Sequence, residues 1–182
     1  MRSESSEISK LLSPDRAIDA AYQAIKELGL ADWAKFGLLK NPQHVAQPPM
    51  LLRDDPGQEG VDVSHSYIVP FGIRNDENAF GVPLTRLCIL VDAIDGTFEQ
   101  VTAFVDPVAF LPKEAAIRVV ASALRIPIEE LGNVDAEWMF RASEITRVRA
   151  YPFWKVVVKE HTYYVDQRGE LYTELSRGTG GN

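Results

Sequence analysis

The chain is poor in the residues that most often announce chemistry. It has one cysteine and three histidines, and its longest apolar runs are strand-sized. A single cysteine excludes an intrachain disulfide framework. Cys88 stands in the run Leu-Cys-Ile-Leu-Val, where a core thiol is expected, because a reactive thiolate needs a base or a helix N-terminus beside it. His44, His65 and His161 show no ligand spacing of the H-E-x-x-H kind. His44 and His65 flank a long loop holding Asp54, Asp55 and Asp62, which would offer nitrogen and oxygen donors to a metal, but exposed loop polars are the expectation. There is no G-x-G-x-x-G, Walker loop, G-x-S-x-G elbow or C-x-x-C, so no cofactor and no catalytic residue is assigned.

Positive charge is also scarce. Lys and Arg number 19 against 26 Asp and Glu, a net charge of −7. A nucleic-acid partner is therefore not expected, since such modules carry a basic patch. No segment approaches the ~20 apolar residues of a membrane span, and Met-Arg-Ser-Glu-Ser-Ser-Glu-Ile lacks the apolar core of a secretory signal. The expectation is a cytoplasmic protein with no membrane partner.

What is present is an ordinary globular composition, 46% apolar and 25% charged over 182 residues, enough for one domain or two small fused ones. Ser13-Pro14-Asp15 supplies an N-cap, a proline for the first turn and an acid beside it. Ile18, Ala21, Tyr22, Ile25 and Leu28 then mark one helical face, closed by Gly29. A short strand is expected near Trp33–Leu39. Residues 40–62, rich in proline and glycine, read as a loop. Strands are expected at Tyr67–Arg74, Leu84–Asp92 and Thr97–Val105, the last two joined at Asp95-Gly96. Further on, a helix is expected from Pro112 to Leu124. Strands should follow at Trp138–Arg141, Tyr151–Lys159, His161–Asp166 and Glu170–Leu175.

Two stretches read as copies of one another. Ile18, Ala21, Tyr22, Ile25 recurs as Ile117, Val120, Ala121, Leu124. Pro70-Phe71 recurs as Pro152-Phe153, and the turn Val91-Asp92-x-x-Asp95-Gly96 as Val165-Asp166-x-x-Gly169. The spacings differ only where loops are expected, as insertions in related copies do. The expected organisation is a flexible N-terminus (1–12), a first helix-plus-sheet unit (13–106), a second (107–175) and a flexible C-terminus (176–182). In each turn the strand-end Asp is expected to bond the turn backbone, with Gly at positive φ.

Helix, strand and Asp-x-x-(x)-Gly turn, carried by residues 90–99 and 163–172, resemble the PepSY-like domains. The resemblance implies an α+β fold of two tandem helix-plus-antiparallel-sheet, cystatin-like units, and it brings no catalytic residues. Family members often restrain peptidases. Gln100-Val101-Thr102-Ala103 echoes the Gln-x-Val-x-Gly wedge of cystatin inhibitors, but with Phe104 in place of the glycine, and an alternating strand is expected there. Asp92 and Asp95 are read as turn residues, because Ala93, Ile94 and Thr97 break a calcium-loop pattern.

Phe153-Trp154 and Tyr163-Tyr164 are adjacent pairs, so one of each must face away from a one-sided core. The other copy is the expected cover, with an exposed binding surface as the alternative. The candidate binding residues are Trp138, Tyr151, Trp154 and Tyr164. Arg141, Arg147, Arg149 and Lys155 form a basic cluster, expected to pair with acids of the same chain. A non-enzymatic module binding a protein or peptide is the leading functional expectation. The alternatives are a small-molecule-binding or enzymatic domain with a helix–sheet cavity of the cystatin-like/NTF2-like kind and, more weakly, a peptidase inhibitor.

Overall fold

In the computed structural model, residues 10–55 and 63–176 are described. The remainder, including the first nine residues, Asp62 and residues 177–182 of the two expected flexible ends, lie outside them. The fold is α+β, with two α-helices and nine strands among the described residues. Contacts divide the chain into two compact units, 1–51 with 65–109 and 52–64 with 110–182. The division thus falls three residues past the expected 106, and residues 52–64 belong to the second unit rather than the first.

The first unit opens with helix α1 (Pro14–Glu27), where the Ser13 side chain accepts the Arg16 N–H at 3.4 Å and Pro14 occupies the first turn. Gly29, at φ 58°, ends it in the left-handed conformation that glycine tolerates. No strand follows at 33–39. Two 3₁₀ turns, Leu30–Asp32 and Ala34–Lys40, stand there instead, closed by local bonds such as Phe36 N to Trp33 O at 2.9 Å. Local i→i+3 bonding satisfies the backbone that strand pairing would have satisfied, and it buries Phe36.

The expected loop also contains two short strands, β1 (His44–Ala46) and β2 (Met50–Asp54), separated by the prolines at 48 and 49. β3 (His65–Ile73), β4 (Leu84–Asp92) and β5 (Phe98–Ala109) complete the unit's antiparallel sheet, with β1 against β3. Tyr67, Val69 and Phe71 of β3 and Leu87, Ile89 and Val91 of β4 share the face that packs on Ala17 and Ala21 of α1. Alanines at that contact let helix and sheet approach closely.

The second unit has helix α2 (Lys113–Leu124), β6 (Val134–Phe140), β7 (Phe153–Val158), β8 (His161–Val165) and the two-residue β9 (Leu171–Tyr172). They pair antiparallel in that order, and the end of β2 adds a parallel pairing to β6 through Arg53 opposite Met139. Trp154, Val156 and Val158 of β7 face Ala116, Val120 and Ala121 of α2.

Both turns have the expected chemistry. Asp92 Oδ1 accepts the N–H groups of Ile94 (2.7 Å) and Asp95 (3.0 Å), and Gly96 sits at φ 79°. Asp166 Oδ1 accepts those of Arg168 (2.8 Å) and Glu170 (2.9 Å), and Gly169 sits at φ 82°. The Pro-Phe pairs, however, do not occupy matching places. Pro70 and Phe71 lie inside β3 opposite Cys88 and Leu87, whereas Phe153 is the first residue of β7 and Pro152 precedes it. Register sets Tyr67 opposite Val91 and Trp154 opposite Val165. The residues with like neighbours are therefore Tyr67 and Trp154.

Their bonds agree with that register. Tyr67 donates its hydroxyl to the carbonyl of Leu12 at 2.8 Å, and Trp154 Nε1 donates to the carbonyl of Leu111 at 2.7 Å. Leu12 and Leu111 each stand two residues before the first residue of a helix.

Candidate functional site

The second unit carries a groove of about 410 Å³ between the loop before β7 and the turn around Gly169. The loop is built inward from Ser143 and Ala150, both fully buried. Ser143 N donates to Thr146 O at 2.9 Å, and Tyr151 N donates to Val148 O at 3.0 Å. These bonds hold the loop in a shape that leaves Ile145, Val148 and Tyr151 outside, at 42%, 38% and 41% exposure. Arg147 and Arg168 also line the groove. The opposite wall is set by Asp166, whose Oδ2 accepts the Tyr172 hydroxyl at 3.4 Å. Burial and then the Asp166 charge push the Tyr172 phenol above its ordinary value.

The stem of this loop is fixed by ion pairs. Arg149 embraces Asp54 through Nε and a terminal nitrogen, and Arg141 meets Asp55 at 2.5 Å. Arg141 also lies over the Tyr164 ring, 5.7 Å from its centroid. Lys155 pairs with Glu137 at 3.2 Å. Arg141, Arg149 and Lys155 of the basic cluster are thus engaged with acids of their own chain, as charge balance suggested. Partly exposed pairs contribute little individually, about 0–1 kcal/mol, but a two-point guanidinium–carboxylate contact fixes direction as well as distance.

The four candidate aromatics do not form one surface. Tyr151 lines the groove. Trp154 and Tyr164 are buried, at 7% and 8% exposure, and Trp138 is half-buried, stacked on Trp154 at 4.2 Å between centroids. The outward member of each adjacent pair is covered within its own unit: Phe153 and Tyr164 pack with Met139, Leu175 and Tyr172. Neither the other unit nor solvent is needed to account for them. Sequence reasoning did not single out Ile145, Val148 or Arg168. Two apolar residues in an otherwise polar stretch, Glu144 to Arg149, were the available signal.

The first unit's own groove, also about 410 Å³, has a different character. It runs between α1 and the Gly96 turn and is lined by Arg16, Asp19, Gln23, Glu27 and Asp95 among others. Its apolar lining, Leu12, Leu28 and Phe98 with two alanines, is interleaved with these charges.

The remaining candidates resolve into structure. Burial pushes the Cys88 thiol up to about 12, far from nucleophilic use. His44 and His65 stand at opposite ends of β3, since His44 pairs with Ile73 and His65 begins the strand. Burial first, then the Arg86 charge, lowers the His44 pKa. Among the described residues no three His, Cys, Asp or Glu side chains gather as a metal site requires. The Gln100–Ala103 segment lies within β5, with Val101 opposite Ile89. Thr85 faces Val108 and Leu87 faces Ala103, so residues 104–107 bulge from this edge strand and leave Val105 fully exposed. A bulge containing Pro107 discourages strand addition there. Among the described residues no helix is long and apolar enough to cross a membrane. No family model matches the chain, and no curated protein matches it in sequence.

Proposed function

We propose that the chain is a non-enzymatic interaction module whose second unit takes a protein segment or peptide in the groove beside Tyr151. One observation carries this reading. Ile145, Val148 and Tyr151 stand together on a hydrogen-bonded loop, next to two arginines, where nothing in the unit's own core requires them. Clustered apolar residues on an ordered surface, with a polar rim, are what a peptide-binding groove presents.

We further propose that the two units are copies of one PepSY-like, cystatin-like motif. The matching ties from Tyr67 to Leu12 and from Trp154 to Leu111 support this. For setting we keep the cytoplasm, consistent with a lone buried thiol. The cystatin-like/NTF2-like cavity reading is disfavoured by the contact of buried side chains between helix and sheet in both units. The inhibitor reading is disfavoured by the mid-strand position of Gln100–Ala103.

The test is selection of peptides from a displayed library on the whole protein, followed by fluorescence polarisation. Tyr151→Ser should weaken the selected peptides at least about tenfold, in line with loss of one aromatic anchor. Failure to select any peptide, or unchanged affinity in a folded Tyr151→Ser protein, would dismiss the groove.

A further inference from the structure

His44 is half-buried, yet both of its ring nitrogens are shut off from water, and among the described residues neither has a hydrogen-bond partner. Buried polar groups are nearly always bonded, so an unbonded ring calls for a reason. The ring belongs to β1, a three-residue strand whose one strand partner among the described residues is the end of β3. Ala46 stands opposite Phe71, which faces α1. His44, two residues earlier and opposite Ile73, points to that same side.

A neutral imidazole fits this place better than a cation. Protonation turns the lone-pair nitrogen into a second N–H donor with no acceptor before it, and it sets a charge where water is excluded. The surroundings bring no relief. β4 carries Arg86, whose Nε is also buried and unbonded among the described residues and which meets Asp76 at 3.2 Å. The 3₁₀ turn Ala34–Lys40 packs on β1 and carries the exposed Lys35 and Lys40, the latter held by Asp32 at 2.9 Å. β3 runs on into the exposed Arg74. α1 brings the exposed Lys26 and the Tyr22 hydroxyl, which accepts the Ala46 N–H at 3.1 Å. The α1 acids Asp19 and Glu27 line the groove beside Gly96.

We propose that β1 is an acid-released cover on the edge of β3. Protonation of His44 frees residues 44–46 and bares Phe71–Ile73, and a bared edge accepts another strand. The sign follows from the ring's two environments. Burial, then the Arg86 charge, holds the paired ring below its ordinary 6.5, which the released ring regains. Pairing is at full strength above that ordinary value, weakens as pH falls through it, and levels off below the depressed one.

Amide exchange followed by NMR on the whole protein tests this. Gln47 N–H bonds Pro70 O at 2.8 Å and Arg74 N–H bonds Gln43 O at 3.1 Å, so these two amides report the β1–β3 pairing. Their protection factors, which divide out the intrinsic pH dependence of exchange, should fall at least about threefold from about pH 7 to about pH 5. They should also stay below those of the β4 amides throughout, because the release does not wait for the unit to unfold. His44→Gln should abolish the fall. The Cε1–H resonance of His44 in the wild type should titrate below 6.5, a reading that needs no variant to fold. Titration at or above that value, protection that does not fall, a fall that persists in folded His44→Gln, or equal protection in β1 and β4 would each overturn the proposal.

Discussion

The two units close the same hydrogen-bond circuit with different atoms. In the first, the residue after the strand-end Asp is Ala93, and its backbone does the work: its carbonyl accepts Leu12 N at 2.7 Å and its N–H donates to His65 O at 3.0 Å. In the second, the residue after Asp166 is Gln167, and its side-chain amide takes both roles. Gln167 Oε1 accepts Leu111 N at 2.9 Å and Nε2 donates to Pro152 O at 2.9 Å. A carboxamide carries the same donor and acceptor as a peptide group, so it stands in for main chain where the turn is shaped differently. The lesson concerns robustness. The first circuit is indifferent to the identity of residue 93 as long as the backbone holds its place, whereas the second depends on one side chain.

The largest expected effect tests whether the first unit is as insulated as that contrast implies. It has its own inserted amide: Gln47 Nε2 donates to Leu84 O at 3.1 Å, and Gln47 Oε1 accepts the Thr85 hydroxyl at 2.9 Å. The amide lies over Gly72, where a methyl group would collide with both the Leu84 carbonyl and the Gln47 nitrogen. Gly72→Ala should therefore cost about 3 kcal/mol of overpacking in urea unfolding. A cost near zero would mean the amide is easily displaced.

Gln167→Ala comes next. It removes two bonds and leaves the Leu111 N–H without its partner, for a loss of about 2 kcal/mol. Gln167→Glu should not rescue it, because a carboxylate facing the Pro152 carbonyl has no proton to give. Equal stability of the two variants and wild type would break the comparison outright. Smaller effects are expected from Tyr67→Phe and Trp154→Phe, which keep a ring and delete the bond to Leu12 or Leu111. Each should cost about 1 kcal/mol for the bond, with Trp154→Phe somewhat worse because the smaller ring loses part of its stacking on Trp138.

The smallest effect separates the turns by pH. The first turn is one residue longer, since Asp92 N bonds Thr97 O while Asp166 N bonds Glu170 O. That turn contains Asp95, which accepts the Thr97 N–H at 2.8 Å. This backbone bond, then the Thr97 hydroxyl, holds the Asp95 carboxyl below its ordinary 3.8. The folded turn thus resists protonation. Its contribution is complete above the ordinary value and is lost as pH falls through the depressed one. Asp95→Asn should flatten that part of an acid-unfolding curve followed by circular dichroism, and an unchanged curve would remove Asp95 from the account.

Some of this architecture was legible in the sequence for local reasons. Ser13-Pro14, the run from Leu84 to Asp92 and the Asp/Gly turns each encode their structure within a few residues. What was not legible depends on partners distant in the chain. β1 and β2 are short segments hidden among prolines, and β1 exists because β3 offers it an edge. The like roles of Tyr67 and Trp154 follow from register, while the more conspicuous Pro-Phe pairs pointed to a different alignment. For the candidate site, sequence alone found Tyr151 but set it beside Trp138, Trp154 and Tyr164, because alternation says only that one of two adjacent residues, as it proves Tyr164 of its pair, faces the other side of a strand. That Leu175 and Tyr172 cover that side is a tertiary fact.

Cys88 is the chain's one thiol and is fully buried in the first unit, and the stacked Trp138–Trp154 pair belongs to the second. The molecule therefore carries a separate reporter for each half. A thiol reagent reads only openings that uncover β4, so its labelling rate clocks the first unit, while the circular-dichroism couplet of the stacked tryptophan pair, to which Trp33 of the first unit does not contribute, reports the second. Recorded side by side on an unmodified sample, the two signals give the order in which the halves let go, and whether one can open while the other stays shut.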